Sequence, residues 1–557
     1  MSVLYMSIVT SVGSHSLAGQ VVLLLISWLI VLFFWRKRMF KSLDNIPGPP
    51  AESFWRGNTT QFFTRHAESF QSHVALDYGP VVRLQGLFGC PILYISDPKA
   101  LHTILVKEEP IYQETPYFIN TNKLYFGRGL LATLGEQHRK QRKMLNPVFS
   151  VNHMRRMIPI FYDVIHKLRA GMTSEVAKGA QELDVLNWMG RAALELIGQA
   201  GLGYSFDPLT EQIPNAYGDA FKAVGPSLQG LDLHRRLLHM FDEIGPAWFR
   251  RAVVKMWPSK LVQDAVNIID TMNMASKEVY ESKKAAIQAG DEVLLKRIGQ
   301  GKDIMSILMK ANMEASDEDK LSEDELISQM STLIFAATDT TSNTLCRILY
   351  LLATHQDIQQ DLREELIAAG AADNLSYDEL NQLPLLDAVC RETIRLYPVI
   401  TITMRMPIQD TTLSLGEPVI GTDGTVMKEI VVPKGTNIVI GSLGCNASKE
   451  LWGEDALEFK PRRWIEGIPA AVTNASIPGV YSNLMSFLGG KRACIGFKFS
   501  EMELKVVLSV MLTTFVFEPA DKPIAWNVSA VWYPTVGTES EAPEMPMKVR
   551  FYKGAGL

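Results

Sequence analysis

One short stretch, Phe487-Leu488-Gly489-Gly490-Lys491-Arg492-Ala493-Cys494-Ile495-Gly496, limits what this chain can fold into. It is followed by an apolar-periodic run in which Met502, Leu504, Val506, Val507, Leu508, Val510, Met511 and Leu512 recur at the spacing of a buried helix. The glycines mark a tight loop ahead of that run. The spacing predicts that Cys494 lies at, or just before, a helix start. Unpaired N–H groups and the helix dipole at such a start stabilise an anion. A thiolate is an anion and a soft, strong iron ligand. Gly490 and Gly496 let the backbone pass close to a large flat ligand, and Arg492 extends toward an acidic ligand edge. On these residues alone, a buried structural cysteine in a glycine turn is the competing reading.

The rest of the sequence leaves room for a large core. It has 557 residues, 47% of them apolar, and a net charge of −5. That balance gives no basis for a nucleic-acid partner. Cys90, Cys346, Cys390, Cys445 and Cys494 are odd in number and scattered. A disulfide framework is therefore not expected, and the pattern points to a reducing compartment. No CxxC pair is present, which argues against a structural zinc site.

Residues 17–35 are nearly continuous apolar sequence without charge, and Arg36, Lys37, Arg38 and Lys41 follow at once. At 1.5 Å per residue the run spans roughly 28 Å, close to a bilayer core. With no Lys or Arg in residues 1–20, the positive-inside rule puts the C-terminal bulk in the cytosol. We expect a short lumenal N-terminus over 1–16 and an uncleaved transmembrane anchor over 17–35. A basic, proline-rich linker covers 36–50 and one catalytic domain 51–557. The expected location is the endoplasmic reticulum membrane, single-pass. The stiff segment Ile46-Pro47-Gly48-Pro49-Pro50 is read as the extended hinge.

Further along, residues 81–84 and 91–95 read as a β hairpin, and Asp97-Pro98 as the cap and first turn of a helix. In Gly135–Lys143, His138 and Arg142 share a helix face at i,i+4; a solvated basic helix is the plainer reading. Residues 150–320 are mostly helical in pattern. Within them Met240, Phe241, Ile244, Trp248 and Phe249 read either as a membrane-dipping lid or as ordinary core. Residues 321–355 form one long helix centred on Phe335-Ala336-Ala337-Thr338-Asp339-Thr340-Thr341. Small residues there admit a flat ligand, and Thr and Asp are weak helix formers that break the helix locally and hold water. Glu392 and Arg395 sit at i,i+3 amid apolar neighbours, which predicts burial and pairing.

Taken together these strings resemble the cytochrome P-450 superfamily, across residues 45–557. Phe487, Gly490, Arg492, Cys494 and Gly496 match its haem-binding signature Phe-x-x-Gly-x-Arg-x-Cys-x-Gly. Asp339 and Thr340 match its oxygen-activation motif, with Ala337 in place of the usual glycine. Glu392 and Arg395 match its Glu-x-x-Arg, and Arg463 matches the arginine of Phe-x-Pro-x-Arg. Arg142 matches the arginine of Trp-x-x-x-Arg, with His138 where the tryptophan is usual.

The resemblance implies a mainly α fold with a small β-rich subdomain, plus the N-terminal membrane helix. It implies haem b (iron protoporphyrin IX) held by Cys494 as axial ligand, within the loop shaped by Phe487, Arg492 and Gly496. His138, Arg142, Arg405 and Arg492 would meet the propionates. Asp339 and Thr340 would act in catalysis. Glu392, Arg395 and Arg463 would be structural. The implied reaction inserts one atom of O2 into a lipophilic small molecule, by hydroxylation or epoxidation.

No flavin or dinucleotide fingerprint is present. Electrons are thus expected from an NADPH–haemoprotein reductase, with cytochrome b5 as a second donor, docking on Arg139, Lys140, Lys143 and Lys498. By family analogy, residues 112–126, 334–337, 399–403 and 531–535 line the pocket. The Gln141–Pro147 segment resembles fungal members, many of which tailor secondary metabolites such as terpenoids. A same-fold isomerase or dehydratase and a non-enzymatic membrane haem protein are the alternatives. The intact Asp339–Thr340 pair disfavours both.

Overall fold

A computed structural model describes residues 17–210, 244–289 and 303–554, with scattered positions between 211 and 243. Helices dominate. Those that position the site are α1 (Leu17–Met39), α2 (Pro116–Phe126), α3 (Gly135–Leu145), α4 (Val151–Ala177), α5 (Val185–Leu196), α6 (Glu323–Thr354), α7 (Pro384–Leu396) and α8 (Phe497–Thr514). A five-stranded sheet lies to one side, built from β1 (Val81–Gln85), β2 (Pro91–Ile95), β3 (Tyr112–Gln113), β4 (Met404–Pro407) and β5 (Asn437–Ile440). Its order is β1-β2-β5-β4-β3. Only the β2–β5 pair is parallel, so the predicted β1–β2 hairpin is extended by strands from far along the chain.

The main core is helical. Phe161 of α4 meets Phe499 of α8 edge to face at 4.8 Å, and Leu345, Leu349, Val507 and Leu508 are fully buried around them. α6 carries a capping box in which Ser322 and Glu325 satisfy one another's backbone donors. Glu323 and Asp324 in its first turn complement the helix dipole. At 32 residues it runs about 48 Å.

Four differences from expectation have physical causes. First, α6 is unbroken at its polar centre. The Thr340 hydroxyl donates to the Ala336 carbonyl at 2.7 Å, one turn back, so it is satisfied within the helix and does not open it. Second, residues 46–50 do not form a free hinge. Arg83 donates its backbone N–H to the Pro47 carbonyl at 2.9 Å, a Cβ on Gly48 would sit 1.9 Å from the Arg83 carbonyl oxygen, and Leu43 and Ile46 are buried in the sheet-side core. Third, Ile244, Trp248 and Phe249 are exposed, which excludes the ordinary-core reading for them; Met240 and Phe241 lie outside the described residues. Fourth, the basic helix α3 is not simply solvated, because His138, Gln141 and Leu145 are buried.

The segment 1–16 also lies outside the described residues, as do several side chains of α1. Among the described residues no helix is long and apolar enough to cross a membrane.

Candidate active site

Cys494 lies two residues before Gly496, the N-cap of α8. It is the one exposed cysteine of the five, all of which are free. Its own N–H donates to the Phe487 carbonyl at 2.9 Å, closing the loop on itself. Leu488 within the loop takes a left-handed φ of 55°, a costly conformation for a branched side chain that persists only where the surroundings enforce it. Gly490 is left-handed too, and a Cβ there would fall 1.8 Å from the Leu105 carbonyl oxygen. Its glycine is thus required by the crossing of the Thr103–Lys107 segment, not by room for a ligand. At Gly496 the nearest atom to an added Cβ is 3.8 Å away.

No side chain caps α8, so its first-turn N–H groups remain available to an anion. The Cys494 thiol is reached by solvent yet surrounded by protein mass on its other sides. That burial raises its pKa, while the Gly496 N–H and the Arg142 charge pull it back toward the thiolate.

Around this loop the fold gathers cations from three separated segments. Arg142 of α3 donates to the Ala493 carbonyl at 2.7 Å. Arg405 of β4 and Arg492 of the loop share the Glu114 carboxylate, each at 3.2 Å. Arg492 also donates to the carbonyls of Leu130 and Thr133, and Lys491 pairs with Glu109 at 3.2 Å. Two of the three guanidinium groups thus share one carboxylate, and the third is held on a loop carbonyl.

His138 sits within the field of Arg492, Arg142, Arg405 and Lys491. Burial first, and those charges second, lower its pKa to about 3, so it is neutral near pH 7 and offers one N–H without adding charge. Glu114 is the residue that sequence reasoning missed. Its only sequence signal was an acid inside the predicted 112–126 pocket segment.

α6 forms the facing wall. Thr341 and Ser500 approach at 3.4 Å between hydroxyl oxygens, which ties the turn after Thr340 to the first turn of α8. Ala336 is exposed on a helix that is otherwise largely buried. Phe335 stacks on Phe126 at 4.4 Å, joining α6 to α2 along the predicted lining. α3 is fastened to α6 by Gln141, which donates to Glu325 at 2.8 Å. Sequence reading found neither partner of that contact.

Glu392, Arg395 and Arg463 form a separate, closed cluster. Arg395 and Glu392 make two parallel bonds at 2.8 Å and both are fully buried. Arg395 also donates to the carbonyls of Asn446 and Ala456. Arg463 donates to Glu392 at 2.9 Å, and the Trp464 indole N–H to the same carboxylate at 3.0 Å.

The open cluster fits a flat cofactor that carries a soft-ligand metal and paired carboxylates. It offers one accessible thiol, a wall with a bare alanine, and guanidinium charge in excess of the acid beside it. Phe487 packs on this loop against Tyr481 and Phe497.

The comparisons with known proteins agree with this geometry. Residues 47–530 match the family model described as Cytochrome P450. A cytochrome P450 monooxygenase of Postia placenta is 58% identical over 94% of this chain and 96% of its own length. A ganoderic acid synthetase of Ganoderma lucidum is 45% identical over 94% of this chain and 96% of its own. A third fungal relative, a cytochrome P450 monooxygenase of Hericium erinaceus, is 36% identical over 96% and 97%. With an accessible thiol at the foot of a buried helix and most of its length matched, the chain belongs to the cytochrome P450 family.

Proposed function

We propose that the chain is a haem-thiolate monooxygenase that inserts one atom of O2 into a lipophilic terpenoid. The single observation that carries this is Cys494, the one exposed thiol, set between an uncapped helix start and a cluster of guanidinium groups. Haem, when bound, supplies the reductive activation of O2. Cys494 would hold the metal. Arg142, Arg405, Arg492 and neutral His138 would hold the propionates, with paired donors suited to carboxylates. Ala336 would leave the face of the ring open, and Asp339 and Thr340 would carry protons to the site. Thr340 would exchange its bond to the Ala336 carbonyl for one to the reacting oxygen.

Electrons would come from NADPH through a haemoprotein reductase. Arg139 and Lys143 are exposed and would form part of the contact with this partner. Each already pairs with an acid, Glu136 or Asp319, which leaves Lys140 and Lys498 as further contacts. Membrane anchorage through α1 is part of the same reading. It is supported by the uncharged run 17–35 and by the outward exposure of Leu23, Leu24, Ile26, Trp28 and Val31. The terpenoid assignment rests on the similarity to the ganoderic acid synthetase of Ganoderma lucidum.

The test is co-expression with a reductase, feeding of terpenes, and mass analysis under isotopically labelled dioxygen. One labelled oxygen atom per product, dependent on NADPH, is the expected result. Product formed without O2 or NADPH would overturn the assignment in favour of an isomerase.

A further inference from the structure

α1 does not hang from the rest of the chain by a loose tether. Leu43 and Ile46, a few residues past its end, are buried in the sheet-side core. Beside them Ser42 donates to the Val431 carbonyl at 3.0 Å, and Asn45 to the Asp423 carboxylate at 2.9 Å. In the last turn of α1, the Arg36 guanidinium donates to the Cys90 sulfur, at the end of the β1–β2 turn. The helix therefore leaves the domain at a fixed place, next to that turn.

Two turns are welded together there. Asn58 donates its backbone N–H to the Gln85 carbonyl at 2.6 Å, and its side-chain oxygen accepts from the Gln85 N–H at 2.9 Å. Phe88 donates its N–H to the Trp55 carbonyl at 3.1 Å. Gly57 lies so close to β1 that a Cβ would fall 2.0 Å from the Gln85 carbonyl oxygen. What this rigid frame carries outward is aromatic. Trp55 is 65% exposed and Phe88 58%, so their edge-to-face contact at 5.8 Å leaves most of each ring open. Phe54, also exposed, meets Trp55 at 5.4 Å. Phe88 has a φ of 55°. Glycine would take that conformation without strain, yet a phenylalanine stands there.

In water this arrangement costs conformational energy and leaves apolar surface hydrated. At a bilayer boundary it is favourable, because aromatic rings partition to the headgroup level. The place fits. Phe88 is two residues from Cys90, at most about 7 Å along the chain, and a headgroup layer is about 6 Å thick on each side. The charge fits as well. Between residues 36 and 56 the exposed cations Arg36, Lys37, Arg38, Lys41 and Arg56 face only two acids, Asp44 and Glu52, and Asp44 is already paired with Arg83 at 2.9 Å. That excess suits anionic headgroups.

We propose that Trp55 and Phe88, with Phe54, form a second membrane contact, seated at the headgroup level of an anionic bilayer beside α1. The contact and α1 together hold the domain in one orientation on the surface. This rests on the membrane anchorage in the proposed function and adds which face of the domain meets lipid.

The test uses the full haem-loaded chain in vesicles of phosphatidylcholine and phosphatidylserine, about 4:1, that contain a diazirine-bearing phospholipid. Mass spectrometry after illumination locates the label. Residues 53–56 and 86–90 should carry about tenfold more than Leu457, an apolar side chain exposed beside the Glu392 cluster. Phe88→Gly suits the backbone, so the thiolate-type CO spectrum should hold and the melting temperature should hold or rise. Label on residues 53–56 should nevertheless fall about threefold or more in that variant. If Phe88→Gly loses the CO spectrum, Trp55→Ser reads the label on residues 86–90 instead. Label on 17–35 with both turns at the Leu457 level overturns the contact and leaves the anchor standing. No label on 17–35 or on either turn refutes the anchorage and the contact with it. Unchanged label on the partner turn in the variants overturns the contact too. Absence of label together with hydrogen-exchange protection that grows with protein concentration assigns the rings to a second copy of the chain, which also overturns it.

Discussion

Two arginine clusters among the described residues are built on opposite principles. Around Glu392 the charges are fully paired. Arg395 has two carboxylate bonds and three carbonyl acceptors, and Arg463 and Trp464 also donate to the carboxylate. Around Arg142, Arg405 and Arg492 the charges are not balanced, since Arg405 and Arg492 share the single carboxylate of Glu114 and Arg142 is bonded to a carbonyl. A closed cluster has nothing left to offer a ligand, so its contribution is to hold α7 against the segment that carries Arg463. An open cluster keeps part of its charge for something that arrives later. Residue type is alike in the two; the balance of cations against carboxylates separates a structural site from a binding site.

The largest break in this contrast is Glu392→Ala. It strands two buried cations, and removing one partner of such a pair costs about 3–5 kcal/mol. Denaturant unfolding should register that loss, and haem retention should fall with it because the fold fails. An unfolding free energy unchanged within error would put the Glu392 cluster in the wrong class.

Arg142→Met should do the reverse. Its bond to the Ala493 carbonyl is worth about 1 kcal/mol of stability. Haem retention should nevertheless weaken by about tenfold, because a charge-assisted partner of the cofactor is gone. Apomyoglobin capture of haem from wild type and variant gives the comparison. Equal capture rates would remove Arg142 from the open cluster.

The pH dependence of the haem-free chain sharpens the contrast further. His138 has a folded pKa lowered to about 3 from an ordinary 6.5. Below about pH 6.5 the unfolded chain binds the proton and the folded chain does not, so stability falls as pH drops from there toward 3. His138→Gln should flatten that slope. Added haem should flatten it as well, since propionates offset the cations that hold the imidazole neutral. A slope identical in wild type and His138→Gln would place the imidazole outside the cluster's field.

The smallest effect on stability belongs to Thr340→Ala. Its hydroxyl bonds only within α6, so unfolding should shift by no more than about 1 kcal/mol. Product per NADPH should fall, with hydrogen peroxide in its place. Equal coupling in both proteins would take Thr340 out of the reaction.

How much of this was readable in advance depended on the range of the interaction involved. α6 and α8 declared themselves through local signals: the helical run over 321–355, the apolar period after Gly496, and the glycine loop before it. The β1–β2 hairpin did so too. What stayed hidden was set by partners distant in sequence. Glu114 is meaningful only beside Arg405 and Arg492, about 290 and 380 residues away. Gly490 is fixed by a carbonyl at Leu105, which no local pattern encodes. Residues 46–50 have the composition of a hinge, yet Arg83 holds them on β1. The expected break in α6 failed for a local reason: a threonine can satisfy its hydroxyl on the helix's own carbonyl.

The central claim is that Cys494 is the metal-binding thiolate of the open cluster. Its most direct test is the CO spectrum of the reduced, haem-loaded protein, wild type beside Cys494→Ala, at equal protein concentration. Wild type should give the long-wavelength Soret band of a thiolate ligand. Cys494→Ala should lose it, while Cys390→Ala and Cys445→Ala, whose thiols are buried with pKa values raised to about 12, should keep it. A thiolate band that persists in Cys494→Ala would contradict the account.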